Sequence, residues 1–221
     1  MHRFSLRLAA FLLLLSPPAL AADVSVRLDA GTGFNVLDSS GGILRLRVDE
    51  ATGNVTRNGA LFVHTTGSSD NLFLGRLAGN LGTTGFANTA LGYGALYYVT
   101  TGYFNTAVGA LALVNNQTGA SNSAFGLGAL RQNTSGYWNS AFGTGALRSN
   151  TTANQNSAFG LRALYTNTTG GANSAFGSYS MRNNTTGIEN AAFGQTTLRA
   201  NTTGNRNAAF GRAALSTNTA G

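Results

Sequence analysis

Apolar and polar positions recur along this chain with a period of 17 residues from Asn71 onward. Each copy opens on an Asn and has a Gly four residues later, with an apolar pair between them such as Ala124-Phe125. A second apolar pair, such as Ala129-Leu130, precedes a turn such as Asn133 to Gly136. No insertion or deletion interrupts the eight full copies and one partial copy. This periodicity predicts a repeat architecture. Positions within a copy are numbered from 1 at the Asn.

The length of the copy predicts a β-solenoid. Each copy contains two short strand-like pieces that cannot bury their apolar residues alone, so stacked copies would share one core. Common helical repeats need about 33 residues or more, and a mid-repeat Gly disfavours a helix. We therefore expect an all-β fold, a parallel β-solenoid of about nine 17-residue coils preceded by a small β-rich N-terminal segment.

Stacking of coils aligns equivalent residues into ladders. Asn side chains at position 1 would hydrogen-bond along the stack, as amide ladders do in stacked sheets. Gly at position 5 suits a bend or a close backbone approach. The predicted structural ladders consist of Asn88, Asn105, Asn122, Asn139, Asn156, Asn173, Asn190 and Asn207, and of Gly92, Gly109, Gly126, Gly143, Gly160, Gly177, Gly194 and Gly211.

The paired apolar residues predict which side chains fill the coil. Neighbouring side chains of a strand point to opposite faces, so we expect the large member of each pair inside. The Ala residues would then form a flat face for lateral packing against a second solenoid, or would merely be small exposed residues. The predicted core consists of Phe125, Phe142, Phe159, Phe176, Phe193, Phe210, Leu130, Leu147, Leu164 and Leu198.

Residues 1–21 have the pattern of a signal peptide. Arg3 and Arg7 precede an apolar run, Leu8–Leu15, and Ala19–Ala21 supplies a cleavage motif. The run is far shorter than the ~20 residues that span a bilayer. The pattern predicts a protein secreted to the extracellular space or cell surface, with no transmembrane segment in the mature chain.

Residues 22–70 alternate as strands do, for example over Ile43–Val48, and predict a β-rich cap or assembly segment before the repeats at 71–221. The sequence stops at Gly221, on a turn, so we expect either that it is a fragment or that another molecule covers its open last coil. Apart from Glu189, its acidic residues lie at or before Asp70, whereas the repeats carry eight Arg. We expect one of two roles for residues 22–70. They either mediate head-to-tail stacking into a filament, because a head-to-tail contact that does not close on itself produces an open fibre, or form a simple N-terminal cap.

Charge and composition exclude several classes of function. The net charge is +7 and all 14 basic residues are Arg, but they form neither a cluster nor a nucleic-acid motif, so we expect no nucleic-acid partner. The absence of Cys excludes disulfides and thiolate metal sites. The predicted mature chain has one His, His64, and seven acidic residues. These provide no plausible catalytic or metal-binding set, and we expect a non-enzyme without cofactors.

Two further ladders have functional interpretations. Arg131, Arg148, Tyr165, Arg182 and Arg199 form a stripe that could bind acidic glycans or cell surfaces, or could be a solvated edge. The turn threonines could form a hydroxyl array, as on ice-binding solenoids. Six N-x-S/T sequons follow from the turn consensus, and a structural ladder is their default explanation; they begin at Asn116, Asn133, Asn150, Asn167, Asn184 and Asn201.

The copies from Asn88 to Gly221, of the form N-T/S-A-x-G-x-x-A-L-x-x-N-T-T-G, resemble the repeats of trimeric autotransporter adhesin heads and phage tail-fibre-like proteins. Phe34–Gly41 and Val48–Val55 resemble the β-rich segment that often precedes such repeats in the fibre proteins. The resemblance implies a parallel β-roll in an extended surface fibre, with a trimer as one assembly. The repeat of this chain has 17 residues and is longer than that of the adhesin heads it resembles. The signal peptide favours a secreted subunit over a phage component.

These patterns together predict an exported structural protein, a subunit of a self-assembling extracellular fibre or surface appendage, whose main partner is itself. The alternatives are an adhesin for surface glycans and an ice-binding solenoid.

Overall fold

The structure, a computed structural model, describes residues 26–29, 33–37, 44–48, 54–57, 60–66 and 69–220. The predicted signal peptide and Gly221 lie outside the described residues. The chain divides into two compact units, residues 1–64 and 65–221.

The first unit is an antiparallel arrangement of strands that pair in chain order, β1 with β2, β2 with β3, β3 with β4 and β4 with β5. Of the alternating sequence before the repeats, the described residues from Val26 to Thr66 form strands almost throughout, as predicted. The register shifts between Val36 and Leu37 and between Val55 and Thr56. The strands are β1 (Val26–Asp29), β2 (Gly33–Leu37), β3 (Leu44–Val48), β4 (Val55–Arg57) and β5 (Ala60–Thr66).

The second unit is a parallel β-solenoid, which confirms the predicted fold class. Each strand pairs in parallel with the strand of the next coil, and the register equals the repeat, so that Ser140 lies opposite Ser157. The described residues contain no helix. The strands are β6 (Ser69–Leu74), β7 (Thr89–Leu91), β8 (Thr106–Val108), β9 (Ser123–Phe125), β10 (Ser140–Phe142), β11 (Ser157–Phe159), β12 (Ser174–Phe176), β13 (Ala191–Phe193) and β14 (Ala208–Phe210).

The prediction of a second strand piece in each coil was wrong. From β7 onward each coil has one strand of three residues, and the second apolar pair lies in consecutive turns. The reason is the left-handed backbone of position 9, where Leu147 has φ 50° and Leu164 has φ 50°. A left-handed residue breaks strand alternation. Both members of the pair, such as Ala146 and Leu147, therefore point into the core and are fully buried.

The assignment of the strand phenylalanines to the core was also wrong. Ala124, Ala141 and Ala158 at position 3 are completely buried, and the Phe residues that follow them lie on the outer face. The Ala face is therefore the inner lining of the coil, neither exposed nor available for lateral packing. The outward residues are Phe125, Phe142, Phe159, Phe176, Phe193 and Phe210. The predicted core leucines, Leu130, Leu147, Leu164 and Leu198, are fully buried.

The first coil shows why the Phe residues stay outside. Phe73 occupies position 3 there, and it is fully buried because Gly79 replaces the Leu of position 9. A Cβ on Gly79 would lie 2.2 Å from the Phe73 ring. Positions 3 and 9 thus share one space, which accommodates a single large side chain per coil at the close packing of protein interiors.

This sharing predicts a strong coupling between the two positions. Gly79→Leu alone should destabilise the solenoid by overpacking, and Phe73→Ala alone should do so by about 3–5 kcal/mol through the cavity it leaves. The double variant restores the Ala–Leu pair of the other coils and should recover most of the loss. A double-mutant cycle by chemical denaturation measures this coupling. Additive losses would contradict the shared space.

Candidate functional site

The position-1 asparagines form a continuous buried amide ladder. The backbone N–H and Nδ2 of Asn139 both donate to Oδ1 of Asn122, at 3.0 and 3.1 Å. Its Nδ2 also donates to the carbonyl of Ala153, at 2.8 Å. Equivalent backbone-to-side-chain bonds link successive coils from Asn71 to Asn207. The predicted structural ladder is therefore present, and it joins the strand to the Thr-Thr-Gly turn.

A second amide ladder runs through position 12. Asn150 donates from Nδ2 to Oδ1 of Asn133 at 2.8 Å and to the carbonyl of Ala153 at 3.0 Å. That carbonyl therefore accepts from both ladders. The ladder accounts for the sequons in structural terms, because their Asn side chains are completely buried in the folded coil. The buried residues are Asn116, Asn133, Asn150, Asn167, Asn184 and Asn201.

The backbone between the ladders bonds to both neighbouring coils. In the coil that begins at Asn139, the N–H groups of Gly143 and Gly145 donate to the preceding coil at 2.7 and 2.9 Å. The N–H groups of Leu147 and Thr151 donate to the following coil, both at 3.0 Å. Almost every turn is thereby hydrogen-bonded to the coils on both sides. These bonds stabilise the solenoid along its stacking axis.

The position-5 glycines allow this close stacking. Gly143 has φ 133° and a Cβ placed on it would lie 2.5 Å from the carbonyl oxygen of Gly160. A backbone of this kind is open essentially only to Gly, and the next coil fills the space that a Cβ would need. The predicted Gly ladder is thus required both by conformation and by contact as far as Gly194, whereas Gly211 in the last coil has no atom within 4 Å of an added Cβ.

The outward phenylalanines form a stacked row, which we call the Phe ridge (Phe125, Phe142, Phe159, Phe176, Phe193 and Phe210). Neighbouring ring centroids lie 4.6–5.1 Å apart and the ring planes differ by 2–8°. Two residues earlier on the same strand face stands a row of small side chains, which we call the Ser/Ala valley (Ser123, Ser140, Ser157, Ser174, Ala191 and Ala208). The two rows are about 6.6 Å apart by strand geometry.

A second group of exposed aromatic residues precedes the strands of the earlier coils. Trp138 and Phe104 are 58% and 55% exposed, and each makes an edge contact with the Tyr before it. Phe86 stacks on Tyr103 at 5.2 Å. Exposed apolar groups of this size mark interaction surfaces. The residue types at these positions vary from coil to coil, so the repeat pattern does not predict this group.

The predicted Arg stripe is a real column, but its members differ in surroundings. Arg131, Arg148, Tyr165 and Arg182 are half-buried at position 10 of successive coils, and Arg199 is exposed. Arg148 donates a hydrogen bond to the Tyr165 hydroxyl and its guanidinium lies 5.5 Å from the centre of that ring.

Arg162 lies next to the Arg stripe, although it occupies position 7 of its coil and is not one of the predicted stripe residues. Its guanidinium also lies 5.5 Å from the centre of the Tyr165 ring, and that of Arg182 lies 6.0 Å from it. Such contacts stabilise the guanidinium groups over the ring face. Nε of Arg182 is buried and has no hydrogen-bond partner among the described residues.

The stripe borders a groove of about 230 Å³. Three Arg side chains and Tyr165 line it, together with apolar and small residues, and the lining includes no acidic residue. The lining residues of the groove are Leu111, Leu127, Gly128, Arg131, Thr144, Gly145, Arg148, Arg162 and Tyr165.

Elsewhere in the solenoid, Arg206 and Glu189 form an ion pair at 2.8 Å. The hydrogen bond to Glu189 and the negative charge of its carboxylate raise the pKa of Arg206.

The turn threonines use their hydroxyl groups within the fold. Oγ1 of Thr151 donates to the carbonyl of Thr168 at 3.1 Å, and Oγ1 of Thr168 donates to that of Thr185 at 3.0 Å. Their side chains are half-buried. A hydroxyl whose proton is engaged internally has less to offer an ice lattice, and this observation weighs against the ice-binding alternative.

Comparison with protein families, with curated proteins and with solved structures found no match. In the part of the chain that the structure describes, no helix is long and apolar enough to cross a membrane. The same residues contain no group of three or more His, Cys, Asp and Glu side chains placed to bind a metal ion.

Proposed function

We propose that this chain is a non-catalytic structural protein, a β-solenoid subunit of an extracellular fibre or surface appendage that associates with copies of itself. The Phe ridge is the observation that carries the proposal. It presents six stacked rings on the outer strand face, and contiguous apolar surface of this kind marks association sites. The signal-peptide pattern of residues 1–21 supports export.

The period of the Phe ridge favours a second copy of the chain as its partner. Its rings repeat at the coil spacing of 4.6–5.1 Å, and another solenoid of the same kind has that period. The ridge also stands beside the Ser/Ala valley on each molecule. A two-fold arrangement would place the ridge of each copy in the valley of the other, a self-complementary contact.

Head-to-tail stacking is the second part of the proposal. Coils already stack through backbone bonds and two amide ladders, so a further coil would meet a ready template. The position-12 ladder is incomplete near the last coil, where the buried Oδ1 of Asn201 has no hydrogen-bond partner among the described residues. We propose residues 22–70 of another copy as the axial partner.

Removal of rings from the middle of the Phe ridge tests lateral association. Phe142→Ser with Phe159→Ser should shift the purified chain from assemblies toward monomer in sedimentation velocity. The solenoid should stay folded, because both side chains lie on its outer face. Leu161→Ser, which changes another exposed apolar residue outside the strands, is the matched control and should leave assembly unchanged. A wild-type chain that sediments as a monomer at micromolar concentration would contradict the proposal, as would equal assembly by the double variant.

A further inference from the structure

The groove beside the Arg stripe is open because two consecutive coils have Gly at position 7. These residues are Gly128 and Gly145, with φ 64° and 67°. The backbone does not require Gly there, since Leu111 and Arg162 occupy position 7 of the flanking coils with φ 59° and 53°. The two Gly residues lack side chains that would fill the groove, and their backbone forms its floor.

The walls of the groove are strongly cationic. Arg131, Arg148 and Arg162 line it and no acidic side chain faces them. Tyr165 orients two of these guanidinium groups, one of them through its hydroxyl as well as its ring. Guanidinium groups are suited to bidentate bonds with carboxylate, sulfate and phosphate oxygens. An unopposed cluster of this kind is therefore a site for an oxyanion.

We propose that this groove binds an oxyanion-bearing saccharide, with a sulfate or carboxylate of the sugar against Arg131, Arg148 and Arg162. Two coils give the floor a length of about 10 Å, which with a volume of about 230 Å³ suits one or two sugar rings. The hydroxyl of Thr144 and the apolar side chain of Leu127 on the walls suit the polar edge and the apolar face of a sugar.

The surroundings of Tyr165 favour a saccharide over a nucleic acid. Nucleic-acid sites combine basic residues with free aromatic faces on which bases stack. Tyr165 is the only aromatic residue of the lining, and three guanidinium groups lie within 6.0 Å of its ring centre. A base has no free ring to stack on there, whereas the anionic group of a sugar needs none.

Calorimetric titration of the purified full chain tests the proposal with four probes: a sulfated disaccharide, a digalacturonate, a neutral disaccharide and a short single-stranded DNA. Binding of the sulfated or uronic probe, without binding of the neutral one, is expected. Gly128→Leu should weaken it at least about tenfold by filling the floor. This change removes no charge, and a Cβ at Gly128 meets nothing closer than Arg131 Cδ at 3.9 Å. Arg148→Gln should weaken binding similarly.

Arg199→Gln is the charge-matched control, because Arg199 belongs to the same column but does not line the groove. It should change affinity by less than about twofold. Response to the sulfated probe alone assigns a sulfate, response to the uronic probe alone assigns a carboxylate, and response to both assigns recognition of charge. Tighter binding of DNA than of either saccharide would overturn the proposal. So would no binding, or equal binding by the folded Gly128→Leu chain. Sedimentation of the same samples separates this result from self-association, on which the groove does not depend.

Discussion

Gly143→Ala is expected to destabilise the solenoid by more than about 3 kcal/mol, or to prevent folding of the central coils. The residue has φ 133°, and the new Cβ would lie 2.5 Å from the carbonyl oxygen of Gly160 in the next coil. Neither partner can move away, because both belong to backbone fixed by hydrogen bonds between coils. Chemical denaturation followed by circular dichroism measures the loss.

Two other glycines separate the causes of this loss. Gly211 has φ 107° but no atom within 4 Å of its added Cβ, so Gly211→Ala carries only the backbone penalty of about 1–3 kcal/mol. Gly82 has neither problem, its nearest atom being Asn80 Oδ1 at 3.6 Å, and Gly82→Ala should be close to neutral. Equal effects at the three positions would contradict the close stacking of the coils.

Asn139→Ala is expected to cost about 2–4 kcal/mol by breaking the buried ladder in its middle. The change removes the acceptor of the Asn156 backbone N–H at 3.1 Å. It also removes donors to Asn122 and to the Ala153 carbonyl. All these groups are inside the coil, so water cannot replace the lost bonds without opening it. Denaturant unfolding measures the cost.

Asn139→Asp should be worse than Ala at neutral pH and should recover on acidification. Asp has the shape of Asn, but its carboxylate would be a buried charge beside Oδ1 of Asn122. Burial of the charge and repulsion by this oxygen both raise the pKa of the new carboxyl. Its unfolded-state pKa is about 3.9, so above that value the folded chain binds more protons than the unfolded one. Stability of the variant therefore falls as pH rises and returns as pH is lowered toward 4.

Asn207→Asp is the matched control for the ladder. Asn207 donates to Asn190 at 2.9 Å but lies half-buried in the last coil. Its substitution should cost less and should depend more weakly on pH. If the two Asp variants behaved alike, the account of a buried, continuous ladder would be wrong.

The stacking of the coils was predictable from the sequence because the period never varies. A repeat without insertions has one self-consistent register, and the Asn at its first position must then meet its own copies, as Asn122 and Asn139 do. The sequence did not determine whether the Ala at position 3 or the Phe at position 4 of each strand faces the coil interior. Ranking by hydrophobicity favours Phe142 inside, but the coil interior has room for Leu147 and a small residue only.

The turns explain what the sequence could not reveal. Leu and Arg rarely adopt a left-handed backbone, so nothing in their identity marks Leu164 or Arg162 as turn residues, although both have positive φ. These turns bring position 7 of one coil beside position 10 of its neighbours. Arg162 therefore lies beside Arg148 at the groove. An alignment of equivalent repeat positions does not predict this contact, because the two residues occupy different positions of the repeat.

Cryo-electron microscopy of the purified full chain tests the central claim, a self-associating structural solenoid, most directly. We expect elongated assemblies in which solenoids lie side by side, end to end or both, with a layer spacing of about 4.8 Å along the coil axis. Contacts at the Phe ridge would identify the lateral interface, and contacts of residues 22–70 with a terminal coil would identify the axial one. Isolated single-chain particles throughout the micromolar range would contradict the account.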